Sequence, residues 1–94
     1  MFRYQIILEY DGSDYAGWQS QKNGKSIQKE TEKIFSKILK EKIKIYGSGR
    51  TDAGVHATGQ SAHFDVKNNI FNKYKFFSSV NYFLNKKNIS IKKV

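Results

Sequence analysis

Apolar and polar residues alternate most cleanly over Phe2–Tyr10. Phe2, Tyr4, Ile6, Leu8 and Tyr10 fall on one side, and Arg3, Gln5, Ile7 and Glu9 on the other. A period of two marks a strand with one buried face. Asp11-Gly12 ends it, and a polar loop runs through Trp18-Gln19 to Lys25. Ser26 is suited to cap a helix, although Lys29 stands where a reciprocal capping box needs Glu or Gln. From Ile27 the period changes. Ile27, Ile34, Phe35, Ile38 and Leu39 recur at helical spacing, with Lys and Glu on the far side. Residues 42–46 alternate again, with Ile43 and Ile45 inward, and predict a second strand. Residues 58–66 predict a third, with Gln60, Ala62, Phe64 and Val66 opposite Ser61, His63 and Asp65. A second helical stripe runs through Ile70, Tyr74, Phe77, Asn81 and Leu84, and residues 88–94 offer Ile89 and Ile91 in a fourth strand.

Strand, helix, strand, strand, helix, strand is the α+β, ferredoxin-like βαββαβ order. It predicts an antiparallel four-stranded sheet with both helices on one face. The other face stays open, so any apolar residue on it needs a partner. No internal repeat, linker or low-complexity tail divides the 94 residues. A chain of this size hides only about 60–65% of the surface its unfolded form exposes. It has no cysteine for disulfides or thiolate metal sites. No apolar run is long enough to span a membrane and no signal-peptide pattern opens the chain, so the expectation is a cytoplasmic location.

The formal charge of +9, from 17 Lys and Arg against 8 Asp and Glu, points to a polyanion, most simply nucleic acid. Coding bias is the competing cause: Lys, Asn and Ile fill 32 positions and Pro none. The row Lys29, Lys33, Lys37 and Lys40 on the first helix reads as a solvated face rather than a groove-reading surface. Trp18, in a polar loop, reads as a plug over one end of the core, with stacking on a base as the alternative.

Candidate chemistry gathers in Gly49-Arg50-Thr51-Asp52-Ala53-Gly54-Val55-His56-Ala57. The segment is too polar and small-sided for core, and neither a strand nor a helix favours its glycines. A P-loop would need Gly-Lys-Ser/Thr after its second glycine, where this chain has Gly54-Val55-His56. The dinucleotide fingerprint would put its third glycine at Asp52. His56 and His63, seven apart and without a third ligand, do not make a metal site, and read as hydrogen-bonding or RNA-contacting groups. Asp52 has two readings. A turn aspartate bonding its own backbone is the commoner, and spacing alone favours it. A catalytic carboxylate is the other, with Arg50 placed to fork onto it or onto a phosphate.

Several motifs together resemble the TruA family of tRNA pseudouridine synthases. They are Tyr10-Asp11-Gly12-Ser13, Gly17-Trp18-Gln19-Ser20-Gln21, Ser26-Ile27-Gln28, the stretch from Gly47 to Ala57, Gly59-Gln60 and Ala62-His63-Phe64, in the family's order. The resemblance implies isomerisation of uridine to pseudouridine at positions 38 to 40 of the tRNA anticodon stem-loop, with no cofactor and no metal. Asp52 matches the family's catalytic aspartate, and Arg50 the arginine that pairs with it and helps displace the target base. Thr51, His56, Gln60 and His63 are then expected to position RNA or the base. Whether the carboxylate attacks the base or acts at the sugar stays open at this level. Family members are around two and a half times longer, with a second half of similar topology that carries an aromatic residue for the uracil and a basic residue near the aspartate. Residues 1–94 correspond to the N-terminal, aspartate-bearing half. The expected partners are the tRNA stem-loop and either a second copy, as a homodimer, or the other half, met by edge pairing or face packing. The alternative is a noncatalytic ferredoxin-like RNA-binding module, but the third strand, Gly59-Gln60-Ser61-Ala62-His63-Phe64, lacks the aromatic signature of such modules.

Overall fold

The computed structural model describes residues 1–11, 26–47 and 57–93. Six principal elements follow one another: β1 (Phe2–Tyr10), α1 (Ile27–Leu39), β2 (Ile45–Gly47), β3 (Ala57–Val66), α2 (Lys73–Leu84) and β4 (Ile89–Lys93), with a short 3₁₀ turn (Asn85–Lys87) before β4. All pairings are antiparallel, in the order β2-β3-β1-β4, and both helices cover one face. The ferredoxin-like expectation holds.

Each helix starts where a short polar side chain satisfies a free backbone donor. Ser26 Oγ accepts from the Lys29 N–H at 3.1 Å, and Asn72 Oδ1 from the Lys75 N–H at 2.9 Å. Lys40, with φ 56°, ends α1 in the left-handed region, and Asn88, with φ 61°, turns the chain into β4. The core lies between sheet and helices. Ile6, Leu8, Ile45, Phe64, Val66, Ile89 and Ile91 come from the strands, and Ile27, Phe35, Phe76, Val80 and Leu84 from the helices. Phe64 stands at its centre, with its ring centroid 5.1 Å from Phe35 edge-on and 5.7 Å from Tyr4 in a stack. Each such side chain taken from water contributes about 1.5–3 kcal/mol.

Three expectations need correction. β2 is shorter and later than residues 42–46, because the Ile43 N–H donates to Ser36 Oγ at 2.9 Å and so belongs to α1 rather than to the β3 ladder. Ile43 is nonetheless buried, as expected. The α2 stripe is Phe76, Val80 and Leu84, whereas Tyr74 is exposed and Ile70 is buried ahead of the helix. Phe2, at the strand end, is also exposed. Within α1, Glu30 and Thr31 are buried although polar. Glu30 accepts from Lys87 Nζ at 3.3 Å, and the Thr31 hydroxyl donates to the Ile27 carbonyl at 2.8 Å.

Candidate active site

Described residues that bound the motif-bearing segments gather toward one end of the sheet. β1 ends there at Tyr10, and the Asp11 N–H bonds the Asn88 carbonyl at 3.0 Å. α1 begins at the same end after Ser26 and β3 starts opposite Tyr10 with Ala57, while β2 stops at Gly47 opposite Ala62, level with Ile6 at mid-sheet. The described residues on either side of 12–25 thus lie at this end, and those on either side of 48–56 are Gly47 at mid-sheet and Ala57 at this end. Arg50, Thr51, Asp52 and His56, together with Trp18, lie outside the described residues.

The two remaining candidates lie along β3, on opposite faces of the sheet. Gln60 shares the helix-covered side with Ala62 and Phe64, and its Oε1 accepts from the Tyr10 hydroxyl at 2.6 Å. His63 points to the open face, where its ring stacks on Tyr46 at 5.2 Å between centroids and 24° between planes. The fold thus separates the two residues by the thickness of the sheet, because 60 and 63 differ in parity. Tyr46 sits one residue before Gly47 and is half exposed. Its position followed from the alternation that turns Ile45 inward. Its aromatic contact did not, since cross-strand partners depend on register.

Around Ile7, the rest of the open face carries polar side chains and paired charges. Arg3 makes a bidentate contact with Asp65, Nε to Oδ1 at 2.9 Å and Nη2 to Oδ2 at 3.1 Å. Hydrogen bonding from the Arg3 guanidinium, with its charge adding to the effect, holds the Asp65 carboxyl below its ordinary value. Gln5 donates to Ser61 Oγ at 3.0 Å, and Lys92 lies 3.6 Å from Glu9. Among the described residues no group of three His, Asp or Glu side chains is placed to hold a metal ion. No described helix is long and apolar enough to cross a membrane.

A family model described as tRNA pseudouridine synthase matches residues 6–94, across the motif loop and every element of the sheet. This chain belongs to the tRNA pseudouridine synthase family. A protein named tRNA pseudouridine synthase A from Pelagibacter ubique (strain HTCC1062) is 58% identical over 91 residues, 97% of this chain and 37% of the relative. Proteins of the same name are 45% identical over 92 residues in Neorickettsia sennetsu, covering 98% of this chain and 38% of the relative, and 52% identical over 83 residues in Ehrlichia ruminantium (strain Welgevonden), covering 87% and 33%. The chain therefore spans little more than a third of the length of these pseudouridine synthases.

Proposed function

We infer that this chain carries the aspartate-bearing half of a tRNA pseudouridine synthase active site, with Asp52 as the catalytic carboxylate. The observation that carries this reading is the family match through residues 6–94, which includes the whole segment from Gly49 to Ala57. In the reaction the C1′–N1 bond of a uridine breaks, the uracil turns, and a C1′–C5 bond forms. The C5 proton is lost and N1 becomes protonated, so the net change is an isomerisation that needs no cofactor.

The substrate positions are 38 to 40 of the anticodon stem-loop. The target base must first leave its stack, at a cost of about a few kcal/mol. Phosphate contacts from a basic surface offset that cost. Arg50 pairs with Asp52 and helps displace the base, while Thr51, His56, Gln60 and His63 position RNA around the loop. Tyr46, stacked on His63 beside the loop's start, extends that surface on the open face. The catalytic unit forms either with a second copy of this chain or with the remaining part of the family fold.

Mapping of modified sites in tRNA transcripts tests the reading. Transcripts treated with this chain, alone and with the remaining family portion added, are expected to gain pseudouridine at positions 38 to 40. Modification confined to other positions, or absent even with the added portion, would count against it.

A further inference from the structure

The helix layer holds a cleft that the functional reading above leaves unused. It lies between α1 and the end of α2, has a volume of about 350 Å³, and is lined by Lys33, Ile34, Lys37, Phe83, Lys86 and Lys87. Phe83 forms an aromatic floor at which two cations meet: Lys37 Nζ stands 5.4 Å from its ring centroid and Lys86 Nζ 6.0 Å. Lys86 Nζ is also 4.3 Å from the centroid of Tyr82, whose ring meets Phe83 edge-on at 5.1 Å. Lys87 pairs with Glu30 at one margin, at 3.3 Å.

Lys33 and Lys37 are one helical turn apart on α1, and Lys86 closes the cleft from the 3₁₀ turn, so three lysines from two elements line it beside Lys87, whose charge Glu30 already meets. Such convergence costs repulsion and is stabilised when an anion enters. On the open face, by contrast, Arg3 and Lys92 already have carboxylate partners.

We propose that this cleft is a second RNA-contact site, which takes an unpaired strand with its phosphates on Lys33, Lys37 and Lys86 and a base against Phe83 and Tyr82. Lysines lying over aromatic rings are parked there by cation–π attraction and swing onto phosphates when a strand arrives. A duplex would offer the cleft phosphates alone, whereas an unpaired base can fill its aromatic floor. That the polyanion is RNA rests on the family reading above. The helix and 3₁₀-turn lysines, which the sequence pattern assigns to solvent or leaves unassigned, acquire a ligand.

The test is the affinity of the full chain for an oligouridylate of roughly a dozen nucleotides, followed by fluorescence anisotropy across a salt series. Each phosphate contact in a single strand contributes about 0.7 to the slope of log K against log salt. Lys37→Gln with Lys86→Gln is expected to lower the slope by about 1.4, so that the variant converges with the wild type near 1 M salt and binds about 25-fold more weakly at 0.1 M. Phe83→Leu is expected to weaken binding at least about fivefold with the slope unchanged. Lys67→Gln with Lys75→Gln, both exposed at the opposite end of the fold, is the matched-charge control and is expected to leave most of the affinity intact. Equal losses in the cleft and control pairs, with RNA still bound by the wild type, would overturn this site and leave the functional reading standing. Polyglutamate displacing the oligouridylate at equal charge would make the occupant an acidic protein segment and also overturn it. A wild-type chain that binds neither oligouridylate nor tRNA would contradict both.

Discussion

Asp65 shows how one residue ties the sheet to solution conditions. Its carboxyl pKa is depressed by hydrogen bonding and charge from Arg3, so its contribution to stability is present above the ordinary carboxylate value of 3.8 and is lost as pH falls below it, through the lowered folded value. Asp65→Asn is therefore expected to lower the melting temperature at neutral pH by a small amount, as for a partly exposed pair. That difference should vanish in strong acid, as thermal melts across pH would register. A difference that persists at the acid end would assign the effect to packing. At this scale the sequence was informative about side and poor about partners. The alternation in β1 and β3 placed Arg3, His63 and Asp65 on the open face. That Arg3 meets Asp65 and Tyr46 meets His63 depends on register, which a single strand's pattern does not contain.

Element boundaries show the same division. Ser26 as N-cap and the α1 stripe were legible, because capping and a 3.6-residue period act within a few residues of sequence. β2 and the α2 face were not, because tertiary bonds decide them. The backbone of β2 and its approach is tied to α1 by side chains: Ile45 N–H to Glu32 Oε2 at 2.8 Å, Ile45 carbonyl from Gln28 Nε2 at 2.8 Å, and Ile43 N–H to Ser36 Oγ at 2.9 Å. At the other edge Asn81 of α2 does the same for β4, accepting from the Ile91 N–H at 2.7 Å and donating to its carbonyl at 2.9 Å. Both edge strands thus have outward backbone groups occupied by helix side chains, a safeguard against stray strand pairing. An edge-pairing partner would have to displace these side chains at Ile45 and Ile91. Asn81→Ala should cost about 1–3 kcal/mol by denaturant melts, since it strands two backbone groups. It should also raise self-association in light scattering. Unchanged stability would show that water replaces the amide without loss.

For the whole molecule, the proposed RNA binding by a chain of charge +9 is expected to depend on salt. Binding of a tRNA stem-loop is expected to weaken steeply between about 50 and 200 mM salt, linearly in log–log form. Affinity that does not change over this range would rule out phosphate contacts as the main source. The fold class was legible because two periodicities alternate in a fixed order, whereas Arg50, Thr51, Asp52 and His56 lie outside the described residues and rest on the motif alone. The lysine cleft was not, since Lys33 and Lys37 look like any solvated helix row until Phe83 and Lys86 are brought against them.

The central claim is that Asp52 carries the chemistry. Tritium release from tRNA labelled at uridine C5 reports the loss of the C5 proton directly. It should be followed for the chain and for Asp52→Asn, each supplied with the remaining portion of the family fold. The account predicts release by the wild-type chain and a fall of more than about 10²-fold in the variant, with stem-loop affinity retained. Release at comparable rates from both would contradict it.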